Sequence, residues 1–158
     1  GRELEDDASM LVHYEHGLRG ILYASQVAIG EENGLKIRLY GDEAALEWEQ
    51  ENPNYLRIKY PNKPEKIYKR GNDYLSDMAN YHNRIPAGHP EGFIEAFANI
   101  YSNVAEVIAA RLSGTKPNKL ALDFPSVKDG ARGVHFIHKA IESGKHRKWV
   151  EMDFDPLA

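Results

Sequence analysis

Leu35-Lys36-Ile37-Arg38-Leu39-Tyr40-Gly41-Asp42-Glu43-Ala44-Ala45-Leu46-Glu47-Trp48-Glu49 is the stretch that decides the fold class. From Leu35 to Tyr40 apolar and cationic residues alternate, and the strand period of two puts Leu35, Ile37 and Leu39 on one face. A half-buried strand is expected. Gly41-Asp42-Glu43 turns the chain, and Ala45 to Glu49 begins a second strand. So short a return suits an antiparallel pair, because parallel strands need a crossover of about a dozen residues or more.

Working outward, Tyr55 to Tyr60 alternates again until Pro61-Asn62-Lys63-Pro64 breaks the pattern, and Lys66 to Lys69 is a further short run. Upstream, Met10 to Tyr14 and Gly20 to Gln26 flank Glu15-His16-Gly17, which predicts a hairpin. After Gly71 the texture changes. Residues 72–87 mix polar and aromatic side chains and lead through Arg84-Ile85-Pro86-Ala87-Gly88-His89-Pro90-Glu91-Gly92 into a helix, with Pro90 at its first position. Phe93, Phe97, Ile100, Tyr101, Val104, Ile108 and Leu112 recur at helical spacing until Gly114 and Pro117 stop them. A second helix starts at Ser126, with Asp129 as capping partner, carries Val127, Ala131, Val134, Ile137 and Ile141, and ends at Ser143-Gly144. Trp149-Val150-Glu151-Met152 reads as a closing strand. The expected architecture is α+β: a large, mostly antiparallel open sheet with helices on one face, in a single domain over residues 1–158.

Composition bounds the rest. With 158 residues, 42% hydrophobic and 28% charged, the chain is expected to bury a real core and to fold, or nearly fold, alone. A net charge of −4 gives no broad basic surface, so neither nucleic acid nor an anionic membrane is an expected partner. No apolar run of about eighteen residues and no leader pattern are present. A soluble, cytoplasmic protein is expected. The absence of cysteine rules out disulfides and thiolate chemistry in this chain. The start at Gly1 rather than methionine suggests a domain cut from a longer protein.

No complete catalytic motif stands in the sequence. A dinucleotide site needs a strand, then Gly-x-Gly-x-x-Gly, then a helix, so that pyrophosphate meets bare backbone at a helix N-terminus. That segment is absent, as are the phosphate loop, the HExxH zinc helix and the GxSxG elbow. Of the seven histidines, His135 and His138 lie three apart on the second helix, but nothing is spaced to complete a metal set, and a wet or partly buried helix flank explains them. His13, His16, His82 and His146 read as surface residues, and Lys145-His146-Arg147-Lys148 as a solvated loop. His89 differs because it stands at a helix start, where free N–H groups favour polar substrate groups and an imidazole can hydrogen-bond a hydroxyl. The alternative is that His89 only caps the helix while Gly88 and Gly92 allow a tight turn.

The run Pro86-Ala87-Gly88-His89-Pro90-Glu91-Gly92-Phe93-Ile94-Glu95-Ala96-Phe97-Ala98-Asn99-Ile100-Tyr101 resembles the GHPEGY-x-EAFAN-x-Y segment of one branch of the Gfo/Idh/MocA oxidoreductases, relatives of glucose-fructose oxidoreductase and inositol dehydrogenase. Ser25-Gln26, Gly30-Glu31-Glu32-Asn33-Gly34-Leu35, Tyr40-Gly41-Asp42-Glu43-Ala44-Ala45-Leu46-Glu47-Trp48 and Phe124-Pro125-Ser126-Val127-Lys128-Asp129-Gly130-Ala131-Arg132-Gly133-Val134 resemble the same family in the same order. The resemblance implies a C-terminal domain of dihydrodipicolinate-reductase-like fold, an N-terminal Rossmann domain binding NAD or NADP outside this chain, and a homo-oligomer joined through the sheet face. It implies hydride transfer at a hydroxyl-bearing carbon of a sugar, cyclitol or polyol. The family's Glu-Lys-Pro lysine and Asp-x-x-x-His pair have no match here; Glu65-Lys66 is followed by Ile67, and no histidine follows Asp6 or Asp7 at the required spacing. The chain is therefore expected to hold no catalytic, cofactor-binding or metal-binding residue, with His89, Arg84, Gln26 and Asn33 as substrate-side candidates. A non-catalytic binding or assembly module of the same fold is the alternative.

Overall fold

The computed structural model describes residues 3–154. Among them run β1 (Asp7–His13), β2 (Arg19–Ser25), β3 (Lys36–Tyr40), β4 (Ala45–Glu49), β5 (Tyr55–Tyr60), β6 (Lys63–Lys69), α1 (Asp77–Tyr81), α2 (Phe93–Ser113) and α3 (Val127–His146), with 3-10 turns at Glu15–Gly17 and Lys119–Leu122. The chain forms two compact units: one carries β1, β2 and α3, and the other is Glu32–Phe124. The α+β class with antiparallel pairing is as expected. The strands, however, divide between a two-stranded sheet, β1-β2, and a four-stranded sheet in the order β3-β4-β5-β6.

Register explains the faces of the four-stranded sheet. Ile37 stands opposite Trp48, and Leu39, Leu46 and Ile58 form one row across three strands, so one face is apolar. Arg38, Glu47 and Arg57 form a row of the other face. There Glu47 accepts from Lys59 at 2.7 Å and lies 3.8 Å from Arg38, while Arg57 meets Glu65 at 2.8 Å. The hydrogen bond from Lys59, helped by the charge of Arg38, holds the Glu47 carboxyl below the usual carboxylate range. The expectation that β3 is half buried does not hold: Leu35, Ile37 and Leu39 are 52–58% exposed. β3 is an edge strand with a neighbour on one side only, so pattern alone does not bury it.

The helix ends also differ from expectation. Pro90 is outside α2, whose N-cap is Gly92. The Glu95 carboxylate reaches back to accept the Gly92 N–H at 2.8 Å and so fixes the first turn there. Ser126 caps α3 as expected, its hydroxyl accepting the Asp129 N–H at 3.4 Å while Asp129 returns to the Ser126 N–H at 2.9 Å. But α3 runs past Gly144 to His146 and is capped at Arg147 in the left-handed region (φ 53°). Lys145 and His146 in that last turn suit the negative end of the helix dipole, which offsets the modest cost of an interior glycine. Trp149 to Met152 is not a strand; the Trp149 ring stacks on His13 instead, with centroids 4.3 Å apart.

The expected sizeable core is small. Among the described residues, the buried ones are Ala110, Ala121 and Asn103. They lie where α2 meets the Lys119–Leu122 turn. Elsewhere the α2 stripe is open, with Phe93, Tyr101 and Leu112 62–83% exposed, because that one turn covers only part of the helix.

Candidate functional site

The last residue of β6, Lys69, is followed by Arg70 and Gly71, and here the sheet meets the segment that carries His89. Gly71 has φ +73°, and a Cβ there would lie 3.0 Å from the Ala87 nitrogen, so both backbone sign and space require glycine. The Arg70 guanidinium donates to three carbonyls of the following loop, those of Ile85, Pro86 (3.2 Å) and His89. It also pairs with Glu91 at 3.2 Å, with only 13% and 10% of the two side chains exposed. The same Glu91 oxygen accepts the N–H groups of Arg84 and Ile85, each at 2.7 Å. The Glu91 N–H in turn donates to Asn54 Oδ1 in the β4–β5 turn at 3.0 Å. A tight turn closes from the His89 N–H to Pro86 O at 3.3 Å, with Gly88 at φ +85°. The backbone is thus braced while the His89 side chain is exposed.

Arg84 belongs to the same segment, and its side chain hydrogen-bonds to α2. Its Nε donates to Asn99 Oδ1 at 2.7 Å and its Nη2 to Ser102 Oγ at 2.8 Å, which ties the segment to α2. Asn99 Nδ2 donates to His82 O at 2.7 Å. His82 is part of this frame rather than a surface residue. Its Nδ1 lies 2.9 Å from Met78 O, which can only accept, so Nδ1 carries the proton and Nε2 accepts from Asn103 Nδ2 at 2.9 Å. Tyr81 donates to Glu106 at 2.7 Å, and that bond raises its hydroxyl pKa above the usual phenol value.

The remaining candidates stand apart from this segment. Asn33 is exposed, and its N–H donates to Glu51 at 3.3 Å, so it attaches to the same β4–β5 turn that holds Glu91 through Asn54. Gln26 lies in the other unit, where its N–H donates to Asp6 O at 2.7 Å beyond the end of β2. Sequence reading passed over Arg70, Glu91 and Asn54. Glu91 sits inside the quoted motif, but Arg70 and Asn54 follow no periodicity, and only the fold brings them to the loop.

Each long helix holds a carboxylate at its N-terminus. At α2 the Glu95 carboxylate takes the Gly92 N–H, which holds Glu95 below the usual carboxylate range, and at α3 Asp129 is held down mainly by the Ser126 hydroxyl. A fixed carboxylate at each N-terminus opposes a second anion. No group of three or more His, Asp or Glu residues that could hold a metal occurs among the described residues. No helix among them is long and apolar enough to cross a membrane.

A family model described as the oxidoreductase family C-terminal alpha/beta domain, GFO/IDH/MocA, matches residues 1–152. The chain belongs to the GFO/IDH/MocA oxidoreductase family. It is similar to the uncharacterized oxidoreductase YfiI of Bacillus subtilis (strain 168), with 35% identity over 94% of this chain and 38% of that protein. Among solved structures, an oxidoreductase from Sinorhizobium meliloti matches at 37% identity and TM-score 0.87, over 95% of this chain and 42% of its own. An inositol dehydrogenase homolog from Azotobacter vinelandii, complexed with NADH and myo-inositol, matches at 36% identity and TM-score 0.82, over 91% of this chain and 38% of its own. The chain thus spans about two fifths of the length of these GFO/IDH/MocA relatives.

Proposed function

We propose that the full-length protein is a nicotinamide-dependent dehydrogenase of a sugar, cyclitol or related polyol, and that this chain forms the wall of its substrate pocket. The observation that carries the reading is the braced segment from Arg84 to Glu91, which presents an exposed imidazole on a fixed backbone, at the family's matched motif. A hydroxyl-rich substrate is held by such groups, since an imidazole both donates and accepts. The A. vinelandii relative, complexed with NADH and myo-inositol, supports a cyclitol or a similar polyol as the substrate class.

In this reading the labour is divided. The nicotinamide, when bound, supplies the hydride acceptor, and the cofactor is held by an N-terminal Rossmann domain outside this chain. His89 hydrogen-bonds a substrate hydroxyl, with Asn33 of the same unit as a further candidate and Gln26 of the other unit as a separate one, and Arg84 acts through the frame it builds with Asn99 and Ser102. Fixing the substrate carbon against the hydride acceptor is a large part of such catalysis, because orientation removes entropy from the barrier. The protein works in the cytoplasm.

The exposed apolar strip of β3 favours an assembly role beside the pocket role. Ile37 and Leu39 of this edge strand, and Leu35 just before it, lie 52–58% exposed, a surface rarely left bare, and a second copy of the chain covers it in the homo-oligomer.

Two measurements test the proposal. The full-length protein, given NAD+ or NADP+ and a panel of polyols including myo-inositol, is expected to form reduced nicotinamide, read by its absorbance. The 158-residue chain alone is expected to show neither turnover nor quenching in an NADH fluorescence titration. Tight NADH binding by the chain overturns the division of labour.

A further inference from the structure

We propose that Arg70 is a positioning residue of the substrate side: a clamp that sets the height and direction of His89 by holding the backbone on both sides of it. The proposal deepens the reading of this segment as substrate wall and rests on it.

From Arg84 to Glu91 the segment has no helix or strand ladder, so its carbonyls need partners from elsewhere. Arg70 supplies them. One guanidinium reaches Ile85 O and Glu91 through Nη2, and Pro86 O and His89 O through Nη1, so it touches the loop before, within and after its turn. Glu91 answers from the other end by accepting the N–H groups of Arg84 and Ile85. The two side chains close the segment into a ring, and the His89 side chain projects from that ring as an exposed group.

Only arginine does this. The planar fork presents several donors at fixed angles, whereas an ammonium is a point charge on a flexible stem and cannot serve carbonyls spread along five residues of chain. Arg70 Nε is buried without a hydrogen-bond partner among the described residues, so the side chain leaves one donor unsatisfied in the pose that serves the loop. The anchor itself is rigid: Arg70 follows β6 directly, its N–H donates to Asn54 O at 3.2 Å, and its own carbonyl accepts from Asn72 Nδ2 at 3.0 Å. Gly71 then permits the close pass against Ala87. The path runs from sheet to Arg70 to loop to His89, and none of these links touches substrate except the last.

The test uses the full-length protein with Arg70→Lys, and with Glu91→Gln as a second variant that keeps side-chain size. Hydrogen exchange reads the amides of Arg84, Ile85, His89 and Glu91, and steady-state kinetics read KM for myo-inositol against KM for NAD+. Both variants are expected to speed exchange at these amides and to raise KM for myo-inositol by about two- to threefold, since a displaced imidazole loses part of the one hydrogen bond that it gives. KM for NAD+ is expected to stay unchanged, which a general loss of folding would not give. Unchanged exchange in both variants overturns the clamp whatever the kinetics do. Faster exchange with unmoved KM for myo-inositol overturns the substrate role of the segment instead, so the two failures are told apart.

Discussion

Asn103 Nδ2 lies 2.9 Å from His82 Nε2, and the same amide donates to Asp123 O at 3.2 Å, at a position only 3% exposed. This one side chain joins the end of α1 to α2 and to the segment after the 3-10 turn Lys119–Leu122. Replacing it leaves a ring nitrogen and a carbonyl without their donor. Asn103→Ala is expected to destabilise the chain by about 1–3 kcal/mol, the usual penalty for stranding buried polar groups. Urea unfolding checks it; a change near zero says that water replaces the amide.

The glycines make a paired prediction. Gly71→Ala meets both a left-handed backbone and the Ala87 nitrogen at 3.0 Å, and is expected to cost more than about 1 kcal/mol. Gly144→Ala faces open space inside α3 and is expected to stabilise by about 0.5–1 kcal/mol. The two variants should move the urea midpoint in opposite directions.

Acid should loosen the helix starts. The native pKa values of Glu95 and Asp129 lie below the ordinary carboxylate value, Glu95 because of the Gly92 N–H and Asp129 because of the Ser126 hydroxyl. The unfolded chain therefore takes up these protons first, and the stability they contribute is present above the ordinary carboxylate pKa and lost as pH falls through the native values. Glu95→Gln and Asp129→Asn are each expected to flatten stability against pH below about 5, in thermal melts taken across that window. Ser126→Ala removes the cap itself and is expected to cost about 1 kcal/mol near neutral pH.

The fold was legible where local chemistry sets it. The alternation in β3, β4 and β5, the hairpin about Glu15-His16-Gly17 and the Ser126–Asp129 cap are written in neighbouring residues, and the structure follows them. What was not legible depends on distance. Pro90 looked like a helix start, but the reach of Glu95 to Gly92 sets the boundary; Trp149 looked like a strand residue, but the ring of His13 takes it. α1 escaped because five residues give no periodic stripe, and its Ser76 cap is a weak local signal. In the site, the motif around His89 could be seen in the sequence. The clamp could not, because Arg70 and Asn54 come from a strand end and a hairpin turn, remote in sequence from the loop they hold.

The most direct test of the substrate-side account is His89→Ala in the full-length protein, with KM measured separately for myo-inositol and for NAD+. The account predicts a rise of about three- to tenfold in KM for myo-inositol, the worth of one net hydrogen bond, with KM for NAD+ unchanged. Equal values for variant and parent with myo-inositol, or a change confined to NAD+, contradict it.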